Sequence, residues 1–236
     1  MGFNKVAVNK FFELVKNVID INKIDVERVW NVDETGISTL PKSLSKVIST
    51  KGKRQVGSLT YAERGQLVTA VICCSASGRY MPPILIFPRQ RMKAELMDGA
   101  PPGAYHPSGW IQTDLFINWL KKFILHTGDT KDSPVLLILD GHATHTKSIE
   151  LIDIARENGV ILLCLPPHCT HKMQPLDISF MKPLSTFYDH NLRKWLRTNP
   201  GRVVTQFQIA SLFEASYLDA ATMTNAINGF KKAGIW

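Results

Sequence analysis

A chain of 236 residues is long enough to bury a core as one large domain or two small ones. Hydrophobic residues make up 44% and charged residues 20%, ordinary values for a globular protein, and no apolar run approaches the roughly 18 residues of a membrane span. The formal net charge of +8 attracts polyanions, of which nucleic acid is the commonest.

The N-terminal stretch lacks the apolar centre of a secretory signal. Met1-Gly2 opens like a myristoylation site, but Val6 stands where that motif needs Ser or Thr. Cys73 and Cys74 are adjacent within an apolar run, with Cys164 and Cys169 far behind. This is no disulfide framework, and a reducing compartment is expected.

Residues 5–19 predict a helix, with Val8, Phe11, Phe12, Val15, Val18 and Ile19 at helical spacing. Val26, Val29, Trp30 and Val32 predict a short strand ending near Asp33, with Gly36 breaking it. Residues 45–56 hold a strand-like piece and a basic knot at Lys51, Lys53 and Arg54. Residues 66–78 and 84–87 read as buried strands, and 99–109 as a loop rich in Pro and Gly. Residues 113–125 predict an amphipathic helix capped by Thr113, with Trp119 on its apolar face; Trp110, just before it, is also assigned to the core. The apolar run 134–140 reads as a strand buried on both faces, followed by a helix over 147–158 that Gly159 ends, and a second buried strand over 160–167. After a loop at 168–176, Pro183 is placed to open a helix over about 183–197, and two helices follow near 205–214 and 219–231. Three strands in succession suit a meander, and the later alternation of strand and helix suits parallel crossovers.

In such a sheet, residues just past the carboxyl ends of parallel strands share one edge. Asp33 and Asp140 each close an apolar strand and each has a glycine close behind. An Asp after a strand often does no more than cap the next turn, but two at equivalent ends in a basic domain point further. Hard divalent cations take carboxylate oxygens, and a pair of them can serve phosphodiester displacement. Of the downstream acids, Asp177 opens a helical region directly after a strand and is favoured as the third. Glu150, Asp153 and Glu157 share a helix face and read as solvated. Cys164, His168, Cys169 and His171 fall within eight residues, but their spacing does not match the two close pairs of a structural zinc site. Gly-rich phosphate loops are absent.

Six blocks, VWNVDETG, KGKRQVG, SGWIQTDLFINWLKKF, LLILDGHATH, LPPHCTHKMQPLD and GFKKAGIW, occur in order along nearly the whole chain. Together they resemble the DDE-superfamily endonuclease domain of pogo-, Tigger- and jerky-type transposases. The resemblance implies an α/β, RNase H-like mixed sheet flanked by helices. It implies catalytic and metal-binding roles for Asp33, Asp140 and Asp177, an all-aspartate triad holding two Mg²⁺ or Mn²⁺ ions that cuts DNA and joins the freed 3′-hydroxyl to a target. His142, His145, His168 and His171 are expected near the metal edge as supports or phosphate contacts, or else as histidines that only fix two loops. Lys51, Lys53, Arg54, Arg193, Lys194 and Arg197 are expected to bind DNA phosphates. The alternative is a domesticated DNA-binding or interaction protein whose site is idle. We expect an N-terminal helix over 1–25, the catalytic domain over 26–200 and a truncated helical extension over 201–236. A nuclear location without membrane attachment is expected, and an oligomer is possible.

Overall fold

A computed structural model describes residues 4–42, 51–52, 65–91, 93–97, 104–141 and 148–236. Helix α1 (Lys5–Asn22) starts where the Asn4 side chain accepts from the Val6 N–H at 3.0 Å, and it buries Val8, Phe11 and Val15. Asp25 then caps a 3₁₀ turn at Val26–Arg28, so the first strand begins three residues later than its valines suggest.

Strands β1 (Val29–Ser38), β2 (Leu67–Ser75) and β3 (Tyr80–Pro88) form the antiparallel meander. A three-residue strand β4 (Ala104–His106) lies within the expected loop and pairs parallel to β3. Helix α2 (Thr113–Thr127), strand β5 (Val135–Leu139), helix α3 (Ile149–Glu157) and strand β6 (Val160–Cys164) make the alternating half. Both β5 and β6 run parallel to β1, and the strand order is β4-β3-β2-β1-β5-β6. Five helices follow: α4 (Thr170–Met173), α5 (Pro175–Ser179), α6 (Met181–Thr198), α7 (Gln206–Ala220) and α8 (Met223–Ala233).

The pleat sends alternate residues to opposite faces. Trp30, Val32, Val71, Cys73, Leu137 and Leu139 pack against α2 and α3. Val29, Ile72, Cys74, Leu136 and Ile138 face the other way, into the layer formed by α1 and α4 to α8. Among the described residues, no helix is long and apolar enough to cross a membrane.

The structure corrects several expectations. The first strand neither ends at Asp33 nor breaks at Gly36, because β2 pairs with it residue for residue as far as Ser38. Pro82 and Pro83 lie inside β3, where the register shifts between Val71 and Cys73. Such a bulge accommodates residues that cannot complete the ladder, as prolines without an N–H cannot. Gln112, not Thr113, precedes α2, and it makes no side-chain cap. Trp119 is core, but Trp110 is 51% exposed beside the Gly109 turn. The loop at 168–176 contains α4 and the start of α5, and Pro183 is the third residue of α6 rather than its first.

Helix α8 lies on α5 at a distance set by Gly229. A Cβ there would sit 2.5 Å from the Pro175 carbonyl oxygen and 2.6 Å from Ser179 Oγ. Ser179 Oγ donates across the same contact to the Asn225 carbonyl at 2.6 Å. Gly229→Ala should therefore force the two helices apart and destabilise the fold by about 1–3 kcal/mol. Urea unfolding checks this, and a midpoint equal to wild type contradicts the close packing.

Candidate metal and nucleic-acid site

The parallel pairing of β1 with β5 stops at Asn31 opposite Ile138. β1 continues beyond this point with only β2 beside it, whereas β5 ends at Leu139. Extending the register by two residues brings Asp33 level with Asp140. Asp33 is thus mid-strand in sequence but lies at the carboxyl edge of the parallel pair. It shares that edge with Asp140 as expected, although its strand runs on past it.

Asn31 sits fully buried at this seam. Its Nδ2 donates to the Ile138 carbonyl at 3.0 Å, and its Oδ1 accepts from the Leu176 N–H at 3.1 Å. The second bond reaches α5, whose first helical position is Pro175, where the missing N–H is not needed. Asp177 follows in the first turn of that helix. Gln174, buried just ahead of it, turns its side-chain amide toward Asp33.

Two carboxylate influences connect the three aspartates, Asp177 acting on Asp33 and Asp140 on Asp177. Burial, and after it the Asp177 carboxylate, hold Asp33 well above the usual carboxylate range; the Gln174 amide and the Glu34 N–H, which donates to Asp33 at 2.8 Å, oppose that shift. Burial also raises Asp177, His171 pulls it down, and Asp140 pushes it up. The thiol of Cys164 is raised by burial and by the Asp140 carboxylate. The chain thus gathers Asp33, Asp140 and Asp177 into one electrostatic neighbourhood, with His171 as the histidine that acts on it.

Other expected residues are placed less centrally. His168 is exposed with a left-handed φ of 61°, and His142 and His145 lie outside the described residues, as do Lys53 and Arg54. Lys51, Lys194 and Arg197 are exposed. Arg193 is engaged by Asp189 one helical turn earlier, with Nε to Oδ2 at 2.7 Å. Glu150, Asp153 and Glu157 lie on a solvated face, as their spacing suggests. Among the described residues, no three His, Cys, Asp or Glu side chains converge closely enough to hold an ion by themselves. The four Cys and His residues of 164–171 are no exception, and Cys169 is buried with its Sγ on the Pro167 carbonyl.

A cleft of about 620 Å³ leads away from Asp177, between the outer half of β1 at Thr35 to Ser38 and helix α6. Lys42, Lys182, Ser185 and Asp189 line it. The Tyr188 hydroxyl closes one wall by donating to the Ser38 carbonyl at 3.0 Å. The sequence alone did not single out Asn31, Gln174 or Gly229. The available signal was a polar residue at the centre of the apolar VWNV run.

Comparison with known proteins fits this geometry. Residues 65–234 match the model of the DDE superfamily endonuclease family. That segment contains Asp140 and Asp177 and begins after Asp33. The pogo transposable element with KRAB domain from Mus musculus is 25% identical over 183 residues, and its Homo sapiens counterpart 26%, covering 73% of this chain and 28% of theirs. A Cochliobolus lunatus protein named MFS-type transporter clz9 is 26% identical over 214 residues, 89% of this chain and 23% of that one. The chain therefore spans about a quarter of the length of these curated relatives. Among solved structures, the Mos1 transposase paired-end complex with the left transposon end superposes with a TM-score of 0.51 at 12% identity, over 99% of this chain and 62% of that chain. The Mos1 mariner paired-end complex with Mn gives 0.52 at 11%, over 98% and 62%. At such identities the likeness carries the fold, which is RNase H-like as expected.

Raised carboxyl groups in the folded state mean that the folded chain holds protons more tightly than the unfolded one. Their contribution to stability is complete below the ordinary value of about 4 and is lost as pH rises from there through the folded-state values. Asp33→Asn removes the larger penalty. Its melting temperature at neutral pH, measured in chelator, should exceed that of wild type and decline less above about pH 4. An unchanged melting curve would contradict the crowding of charge at this edge.

Proposed function

The chain belongs to the DDE superfamily endonuclease family, and on that premise we propose that it is a transposase-derived domain performing divalent-metal-dependent DNA strand cleavage and transfer. The observation that carries this reading is the placement of Asp33 and Asp140 at the end of the β1–β5 seam, with Asp177 on the helix that the seam's Asn31 holds, in a chain of net charge +8. Carboxylates that share a half-buried edge favour a nearby counter-charge, and their hard oxygens suit Mg²⁺ or Mn²⁺. By donor type and charge the residues therefore fit a divalent cation. Bound there, two such ions would lower the charge of the scissile phosphate and polarise the attacking hydroxyl.

The protein's own part is to hold and orient. Asp33 and Asp140 come from adjacent parallel strands, and Asp177 comes from a helix tied to both. His171 lies by Asp177, where a cationic imidazole favours the ionised carboxylate. Attack by water breaks the P–O3′ bond and leaves a 3′-hydroxyl and a 5′-phosphate. In the transfer step that hydroxyl attacks a second phosphodiester and displaces its 3′ oxygen. Lys51, Lys194 and Arg197 are exposed and suited to contact phosphates, and Lys53, Arg54 and Arg193 join them in this reading. Two supports come from the neighbours: Mos1 structures have been solved with Mn and with Mg, and others hold transposon-end DNA in paired-end complexes. On this reading the protein works on DNA in the nucleus and assembles as an oligomer.

With supercoiled plasmid and Mn²⁺, the wild type should nick DNA, and Asp33→Asn, Asp140→Asn and Asp177→Asn should each slow nicking by at least about 100-fold, about 2.7 kcal/mol in the barrier. Equal nicking by Asp140→Asn would reject the reading. A protein that binds DNA yet neither nicks it nor takes up Mn²⁺ is instead the idle, domesticated form. In gel shifts, Lys194→Ala and Arg197→Ala should weaken binding to all sequences alike and flatten its salt dependence, by about 0.9 in log–log slope for each phosphate no longer neutralised.

A further inference from the structure

We infer that Asn31 and Gln174 are the positioning residues of the aspartate site, a two-way lock that sets where the three carboxylates stand. The lock rests on the metal-dependent reading above and adds to it the residues that give the site its shape.

Asn31 makes one bond to each of two segments, and each segment carries a different aspartate. Asp33 is two residues along its own strand, on the same face by the alternation of the pleat. Ile138, which accepts from Asn31 Nδ2 at 3.0 Å, is two residues before Asp140. Leu176, which donates to Asn31 Oδ1 at 3.1 Å, immediately precedes Asp177. One buried amide thus spans β1, β5 and α5 at the point where each delivers its acid. An asparagine suits this task because it donates and accepts from a single planar head. An aspartate there would lose the donor facing Ile138, and a leucine would lose both bonds.

Gln174 works from the opposite direction. It stands at the α4–α5 junction, 1% exposed and three residues before Asp177, and its side-chain amide favours the ionised form of Asp33. The lock therefore runs from β1 to α5 through Asn31 and from α5 back to β1 through Gln174. The Oε1 of Gln174 is buried and makes no hydrogen bond. A buried carbonyl without a donor weakens a fold, so an apolar side chain of the same size would serve stability better. The residue at this position is therefore better suited to the site than to the core.

The two roles separate experimentally. Mn²⁺ affinity is measured by calorimetry, melting temperature in chelator, and plasmid nicking at a temperature well below every midpoint. Gln174→Met keeps the volume and removes the orphan carbonyl; its melting temperature should equal or exceed that of wild type, while Mn²⁺ affinity and nicking fall about 10- to 100-fold, as expected for groups that orient metal ligands. Asn31→Leu should show the same loss of affinity with a lower melting temperature. Phe123→Leu, in the core on the far face of the sheet, supplies a control of reduced stability whose Mn²⁺ affinity should stay within about twofold. If Gln174→Met binds Mn²⁺ and nicks like wild type, the lock is refuted while the metal reading stands. If Asn31→Leu loses no more affinity than Phe123→Leu at matched stability, Asn31 is structural only. Should the wild type itself take up no Mn²⁺, the reading and the lock fall together.

Discussion

The seam between β1 and β5 is the constraint on which the rest of the molecule depends. Two parallel strands pair over three residues and then part company, one running on and one ending. A buried polar side chain at such a point costs stability unless its donor and its acceptor are satisfied. Asn31 meets that requirement with main-chain groups from β5 and α5. A second helical layer then has to come down on the sheet at a fixed height. Helix α8 seats against α5 from outside, where a missing side chain at Gly229 permits direct contact between main chain and main chain. The polar clamp below and the glycine contact above hold between them a helix of only five residues, too short to be stable alone.

The edge these elements create is electrostatically uncomfortable. Burial, and after it a neighbouring carboxylate, raises two of its carboxyl groups, and the opposing contributions come from a neutral amide, a main-chain N–H and one exposed imidazole. Neutral side chains at these two positions would not carry that penalty. Sites that bind a counter-charge commonly carry this kind of local penalty, which the surrounding fold must absorb. Here the absorbing structure is a sheet whose central strands are buried on both faces.

Much of this was legible in the sequence because the signals were local. Continuous apolar runs marked β2, β5 and β6, helical spacing marked α1 and α2, and six ordered blocks carried the family and with it the RNase H-like sheet. Asp33 and Asp140 were expected at one sheet edge, and the β1–β5 register puts them level there, in spite of a misplaced strand end at Asp33. Its strand was expected to stop because Gly36 followed, but glycine does not end a strand when a neighbour supplies every ladder bond. What was not legible depends on contacts between distant segments. Asn31 meets Leu176 across 145 positions and Gly229 meets Pro175 across another helix layer, and no periodicity encodes either meeting. Trp110 was misassigned for a related reason: aromatic character argues for burial, but the Gly109 turn, with φ of 71°, points the chain outward.

The contact between α5 and α8 also sets an order of assembly. Ser179 and Asn225 are 46 positions apart, so the brace on α5 forms only after that length of chain has been added. During synthesis the sheet can emerge with Asp33 and Asp140 already level while Asp177 still lacks its outer support. Domains generally fold as their segments leave the ribosome. The helix that carries Asp177 is therefore braced only once α8 has been made, and a ribosome-bound chain that has not yet made α8 carries the whole sheet without that outer support.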